Sequence, residues 1–321
     1  LEPHDDPEVI AQFIHRCRSH GVSAEDLLDC LNLVHEKDTN SREDGFKLYA
    51  LLLALAEYPT EELPNESRTA LVPQLGDWYA TDRRSIVHGA TGWILRQWGE
   101  TDLVEQVDKS PIAYSPDREW FIREVPIADG VSAYYTFVVV DPGEYQIGSP
   151  EYEPMRFKNE HQHKVQLTRR YAIADREVTL QEIKTFGEQT GVNIFKAFAS
   201  MDDGWAGPGL TWYDSVHFCR WLGEQAGLSE EEQAYPAPEL LDPSEFIRVE
   251  GDTRGTPQNW PLHVERHGFR LPTESEWEVA ARAGARTSYC YGSDENLITQ
   301  YAWMGFNSER KPHQPKTRKP S

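Results

Sequence analysis

Apolar positions in the first hundred residues recur at three and four, the period of a helix with one buried face. Val9, Ile10, Phe13, Ile14 and Cys17 form one such stripe, and Gly21 ends it. Ser23 then starts a second helix, with Asp26 in the capping-box position and Leu27, Leu28, Leu31 and Val34 inside. Arg42 to Tyr58 predicts a third, closed by Pro59 and Pro64. Leu71 to Tyr79, with Pro73 near its start, and Arg84 to Trp98 predict a fourth and a fifth. Helices joined by short polar turns predict antiparallel pairs, a HEAT-like domain over residues 1–108, although no fixed repeat period is visible.

The period changes after a polar, Pro-containing stretch, Ser110 to Trp120. Tyr134 to Val140 is β-branched and aromatic, and Asp141-Pro142-Gly143-Glu144 predicts a turn after it. Residues 109–135 read as linker and opening strand, and 136–321 as a second domain. In that domain Ala172 and Ile173 end a strand. Thr179 caps a helix, Glu182 completes its box, and Ile183 and Phe186 face inward. Trp212, Val216, Cys219 and Leu222 lie at helical spacing. A cofactor box of Trp212, Phe218 and Trp221 is one reading of that helix; core packing is the better account. Residues 227–260 are acidic, Pro-rich and without period, as in a surface insertion. Thr273 and Glu276 form another capping box after Pro272, with Trp277, Ala280 and Ala281 as the apolar face and Gly284 as the left-handed terminator. Residues 309–321, basic and Pro-rich, read as a mobile tail.

Several function classes fall away on composition. The 321 residues carry a net charge of −21, which disfavours nucleic acid and anionic membranes as partners. No apolar run approaches a membrane span, and no signal-peptide pattern is visible. The chain begins with Leu, which predicts a fragment or processed product. Cys17, Cys30, Cys219 and Cys290 form no CxxC pair; the first three read as buried thiols, which fits a reducing cytoplasm. There is no nucleophile elbow, P-loop or GxGxxG. His88 is either a ligand or, preferably, a packed surface histidine. His161 and His163 on a strand share a face and suit a metal, but no third ligand is spaced to join them. The carboxylate of Glu177 is either catalytic or, preferably, structural.

The run Phe269-Arg270-Leu271-Pro272-Thr273-Glu274, with Glu276-Trp277-Glu278 and Ala280-Ala281-Arg282, closely resembles the signature of the sulfatase-modifying-factor family, the formylglycine-generating-enzyme type. Phe137 to Pro150, Tyr171 to Phe186 with Glu177 and Thr179, and Leu210 to Gln225 with Trp212 resemble three further elements of that family. Tyr289 to Asn307 resembles its aromatic segment, and residues 87–99 resemble a helix that precedes such domains in bacterial multidomain proteins. The resemblance implies an α+β chain: a helical domain followed by a C-type-lectin-like domain. It covers roughly 137–321 and lacks the family's later Asn-x-Trp-Glu-Trp and Arg-Gly-Gly-Ser runs, so the domain is expected to be incomplete, with its C-terminal part absent.

In the oxidase members the two copper-binding cysteines lie in that later part, and neither Cys219 nor Cys290 matches them. No catalytic residue and no cofactor is therefore assigned; copper or calcium enters only with the C-terminal part. The ergothioneine branch needs His-x3-His-x-Glu for iron, and His15, His20, His35 and His88 do not supply it. The expected function is a non-catalytic interaction or regulatory module of a larger bacterial signalling protein, whose partner is a protein or its own severed C-terminal part. The alternative is the N-terminal portion of a copper-dependent oxidase acting on a protein cysteine.

Overall fold

The computed structural model describes residues 6–151, 153, 156–193, 201–241, 246–247, 256–257 and 260–321. Six helices come first: α1 Pro7–Arg16, α2 Ala24–Glu36, α3 Arg42–Leu55, α4 Asn65–Thr81, α5 Ser85–Gln97 and α6 Thr101–Asp108. Side-chain caps start the first three. Asp6, Ser23 and Ser41 each accept a first-turn N–H, and Ser23 with Asp26 closes the full box. The run Leu51 to Leu55 is buried on every side, because α3 lies between α1, α2 and α5. The fourth helix begins at Asn65, six residues before the expected Leu71, with Pro64 as its N-cap. Pro73 therefore sits inside it. The ring withholds an N–H from the carbonyl of Thr69, an exposed residue, so water can take that bond.

The second region is built on a three-stranded antiparallel sheet in the order β1-β2-β5, with β1 Trp120–Ala128, β2 Val131–Val140 and β5 Tyr171–Ala174. Between them β3 Gly143–Ile147 and β4 His163–Leu167 form a hairpin-like pair. Two helices, α7 Leu180–Thr190 and α8 Trp212–Gln225, cover one sheet face. Val125, Ile127, Ala133 and Tyr135 pack there on Phe186, Phe218, Trp221 and Leu222. The two-residue strands β6 Phe246–Ile247 and β7 Thr256–Pro257 pair within the insertion, of which residues 242–245, 248–255 and 258–259 lie outside the described residues. Helices α9 Glu274–Arg282 and α10 Ile298–Tyr301 complete the set.

Strand β1 fastens the two regions together. Its first half buries Trp120 and Ile122, and its second half buries Val125 and Ile127. Those pairs differ in parity, so they occupy opposite faces of the strand. The Trp120 indole donates to the Asp82 carbonyl at 2.8 Å and stacks on His88 at 3.7 Å. His88 is thus a buried histidine between Tyr79 and Trp120, not the surface one expected. Its Nδ1 meets the Tyr79 carbonyl at 2.8 Å, and Nε2 has no partner among the described residues. Burial, then the Lys316 charge, pulls its pKa down to about 3.

The C-terminal stretch lies across the helices. Lys319 is 6% exposed, with its ammonium on Glu57 and Gln300. Lys316 reaches Asp175 at 2.7 Å, and the Tyr49 hydroxyl donates to the Pro320 carbonyl. Trp303 is stacked on His313 at 3.6 Å, with the Arg318 guanidinium 3.5 Å from its ring centroid.

Candidate functional site

The family-signature residues gather at the starts of α7 and α9, and the two starts have the same construction. At α9, Thr273 has the extended conformation of an N-cap. Its hydroxyl accepts the Glu276 N–H at 3.2 Å, while the Glu276 carboxylate accepts the Thr273 N–H at 2.9 Å. Arg270 then forks onto both oxygens of Glu276, each at 2.6 Å, and donates to the Leu271 carbonyl. At α7, Thr179 and Glu182 close the same box. Arg176 reaches the two Glu182 oxygens at 2.6 and 3.2 Å and donates to the Glu177 carbonyl. Both starts read Arg-x-x-Thr-x-x-Glu. That shared spacing is visible in the sequence and identifies Arg176, which motif comparison passed over.

Each arrangement is a capping box closed by a buried bidentate ion pair. The Arg270 guanidinium pKa is raised by its bonds to Glu276. Burial raises the Glu276 carboxyl, but the Arg270 and Thr273 bonds outweigh it and leave the pKa lowered. The Glu276 carboxylate is held ionised and bonded on both oxygens, the opposite of a proton-shuttling pair. The structural carboxylate at the α7 corner is Glu182. Glu177 is exposed, lends its carbonyl to Arg176, and borders the cleft described below.

Other predicted positions move. Trp212 is 50% exposed at the first position of α8, whereas Val216, Phe218, Cys219, Trp221 and Leu222 are buried. On α9 the buried positions are Glu276 and Val279. Trp277 is 60% exposed, Ala281 is exposed and Ala280 is half-buried, so the expected apolar face points away from the core. The turn that ends α9 places Ala283 at φ 48° ahead of Gly284 at φ 90°, so the left-handed terminator falls one residue early.

Cys30 is exposed, contrary to the buried position expected, and the four cysteines are unpaired. Burial pushes the Cys219 thiol up to about 12 and Cys290 to about 11. His161 and His163 are exposed, and His163 Nδ1 turns to the His161 carbonyl at 2.7 Å. Among the described residues no cluster of three or more His, Cys, Asp or Glu is arranged to hold a metal.

A cleft of about 3030 Å³ lies between the helical region and the second region. Strand β5, the exposed face of α9 and the C-terminal stretch all line it.

Comparison with known proteins locates this second region. The profile of the sulfatase-modifying factor enzyme 1-like domain matches residues 124–321, starting inside β1 and ahead of the boundary expected at 136. Chaperone protein LppX of Paenibacillus barcinonensis is 28% identical over 109 residues, 32% of this chain and 35% of that protein. The structure of PvdO from Pseudomonas aeruginosa is similar at 23% identity and a TM-score of 0.24, over 40% of this chain and 56% of that one. The chain thus spans about a third of the curated relative and just over half of the solved one. Since the profile covers more than half of its length, the chain belongs to the sulfatase-modifying factor enzyme 1-like family.

Proposed function

We propose that this chain is a non-catalytic interaction or regulatory module on a formylglycine-generating-enzyme-like scaffold, part of a larger bacterial multidomain signalling protein. The observation that carries this reading is how the signature is used. Arg270, Thr273 and Glu276 are bonded to one another, as are Arg176, Thr179 and Glu182. These groups shape helix starts and leave no base or nucleophile among them. On this reading Leu271, Pro272, Glu274, Trp277, Glu177 and Trp212 are family residues that serve shape or surface.

The six helices act as a HEAT-like array, and the second region as a lectin-like domain completed by a protein partner or by its own C-terminal part. The place of work is the cytoplasm; among the described residues no helix is long and apolar enough to cross a membrane. The chaperone name of one relative suits a protein-handling role. Family membership favours the second reading, the N-terminal portion of a copper-dependent oxidase of a protein cysteine. Copper content and oxidation of a cysteine peptide, measured on the gene product of verified intact mass, decide between them. No copper and no turnover is the expected result; stoichiometric copper with turnover overturns the proposal.

A further inference from the structure

Three tyrosines after α9 stand in one stack that ends on the first helix. Tyr291 lies on Tyr289 at a centroid separation of 5.1 Å with 7° between planes, and on Tyr301 at 4.3 Å with 18°. The His15 ring of α1 then meets Tyr301 edge-on at 5.8 Å. His15 Nε2 lies 3.1 Å from the Tyr301 hydroxyl, and Nδ1 lies 3.8 Å from the Glu57 carboxylate. Glu57 also holds the Lys319 ammonium. A ring nitrogen turned to a carboxylate carries the proton, which leaves the lone pair on Nε2. The Tyr301 hydroxyl therefore donates to a base.

The neighbouring phenols are placed differently. Tyr291 is 6% exposed, and its hydroxyl has no partner among the described residues. Tyr49, buried beside Tyr301, donates to the Pro320 carbonyl, which cannot take a proton. Tyr58, Tyr145 and Tyr171 also meet carbonyls. Tyr79 and Tyr134 meet the carboxylates of Asp108 and Glu124. A carboxylate is the weaker base, by roughly two pKa units against imidazole. Among the described residues Tyr301 is thus the phenol with the strongest base in hydrogen-bond reach.

We propose that Tyr301 is a redox-active tyrosine, oxidised through the Tyr289–Tyr291 stack by an outer-sphere one-electron oxidant that meets the Tyr289 end. One electron leaves Tyr301 and reduces the oxidant by one. The phenolic O–H bond breaks, and its proton moves to His15 Nε2. A neutral tyrosyl radical and an imidazolium remain, the latter facing Glu57. One-electron reduction returns the proton to the oxygen. The role goes beyond the interaction-module reading and does not depend on it.

The surroundings suit a proton that leaves with the electron. Burial, then Cys290 and Glu57, raises the Tyr301 phenol well above its ordinary pKa, so the proton does not leave first. Burial opposes the charge on Glu57, but the bonds to His15 and Lys319 outweigh it and bring its pKa down to about 2. The imidazolium therefore meets an ionised carboxylate. Cys290, between Tyr289 and Tyr291 in the chain, is the competing electron donor. Burial pushes its thiol up to about 11, which keeps it out of the reactive thiolate form.

The probe is photogenerated tris(bipyridine)ruthenium(III), made by a laser flash with a cobalt(III) quencher beside the 321-residue chain. Electron paramagnetic resonance of freeze-quenched samples reads the product. A tyrosyl signal is expected, and it is expected to form more slowly in heavy water, which a merely structural hydrogen bond would not cause. Tyr301→Phe keeps the stacked ring without the O–H and should lose the signal. His15→Phe keeps an edge-on ring without the base and should lose it too. Tyr291→Phe keeps the stack but cannot relay an electron, and should slow the signal's formation.

A signal that persists in Tyr301→Phe or His15→Phe, each confirmed folded by circular dichroism, overturns the proposal. An unchanged rate in Tyr291→Phe overturns the route through the stack. Two results on the unmodified chain overturn the site without any variant: no tyrosyl signal, or oxidation located at Cys290 by mass spectrometry.

Discussion

At α7 the residue after the clamping glutamate, Ile183, is buried against Gly207; at α9 the residue in the same place, Trp277, is 60% exposed. Within the capping box and its ion pair the two starts have the same bonds. The Arg-x-x-Thr-x-x-Glu spacing closes a box and an ion pair within seven residues, so it forms wherever the sequence occurs. Whether the next residue is core or surface depends on a segment more than twenty residues away along the chain. Local chemistry makes the helix start; only the covering segment makes it part of a core.

The largest expected effect tests the shared part. Glu182→Ala and Glu276→Ala each leave a buried arginine without its carboxylate, and each should destabilise by about 3–5 kcal/mol in urea unfolding. A loss under about 1 kcal/mol at either site would show that the pair is not the clamp described. The divergent part comes next. Ile183→Ala should lose about 2–4 kcal/mol, because it empties a packed position. Trp277→Ala should stay within about 0.5 kcal/mol, as exposed substitutions do. Equal costs for the two would mean that Trp277 is covered in solution.

A third test concerns the seam between helices and sheet, where His88 is the buried group. Its folded pKa of about 3 lies below the ordinary 6.5, so between those values the unfolded chain binds a proton that the folded chain refuses. Stability therefore rises with pH across this window, and acidification from 6.5 towards 3 removes it. By pH 5 the loss from this one group is about 2 kcal/mol. His88→Phe keeps an aromatic ring in the stack and gives up the bond to Tyr79. It should unfold more easily at neutral pH by about 1 kcal/mol and show a flatter decline from pH 6.5 to 5. An unchanged slope would remove His88 from the seam's pH dependence. The smallest effect returns to the caps: Thr179→Ala and Thr273→Ala should each cost about 1 kcal/mol, and by similar amounts.

Much of the fold was legible because its signals are short. The boxes expected at Ser23, Thr179 and Thr273 all form around the side chain three residues on. Most helix spans followed from them and from the spacing of apolar residues, as in α1, α2 and α5. The misread positions share a different cause. Cys30 lies on an amphipathic helix but just outside its buried stripe, and a cysteine is too small to announce its side. Pro73 was placed near a helix start because proline breaks interiors; here the broken bond falls on an exposed turn, where water replaces it. His88 looked like a surface residue because its own helix gives no sign that β1 will lay Trp120 against it.

The sequence by itself determined where the helices capped by Ser23, Thr179 and Thr273 begin, which spacing clamps an arginine to a glutamate, and that the second region carries the family signature. These depend on residues within one turn or on letter-for-letter likeness. The tertiary structure alone decided that Ile183 is core and Trp277 is surface, and that His88 is sealed. It alone laid the basic C-terminal stretch across the helices through Lys316 and Lys319. Burial is a property of what lies opposite a side chain, and the distant segment that supplies it leaves no mark on the neighbouring letters.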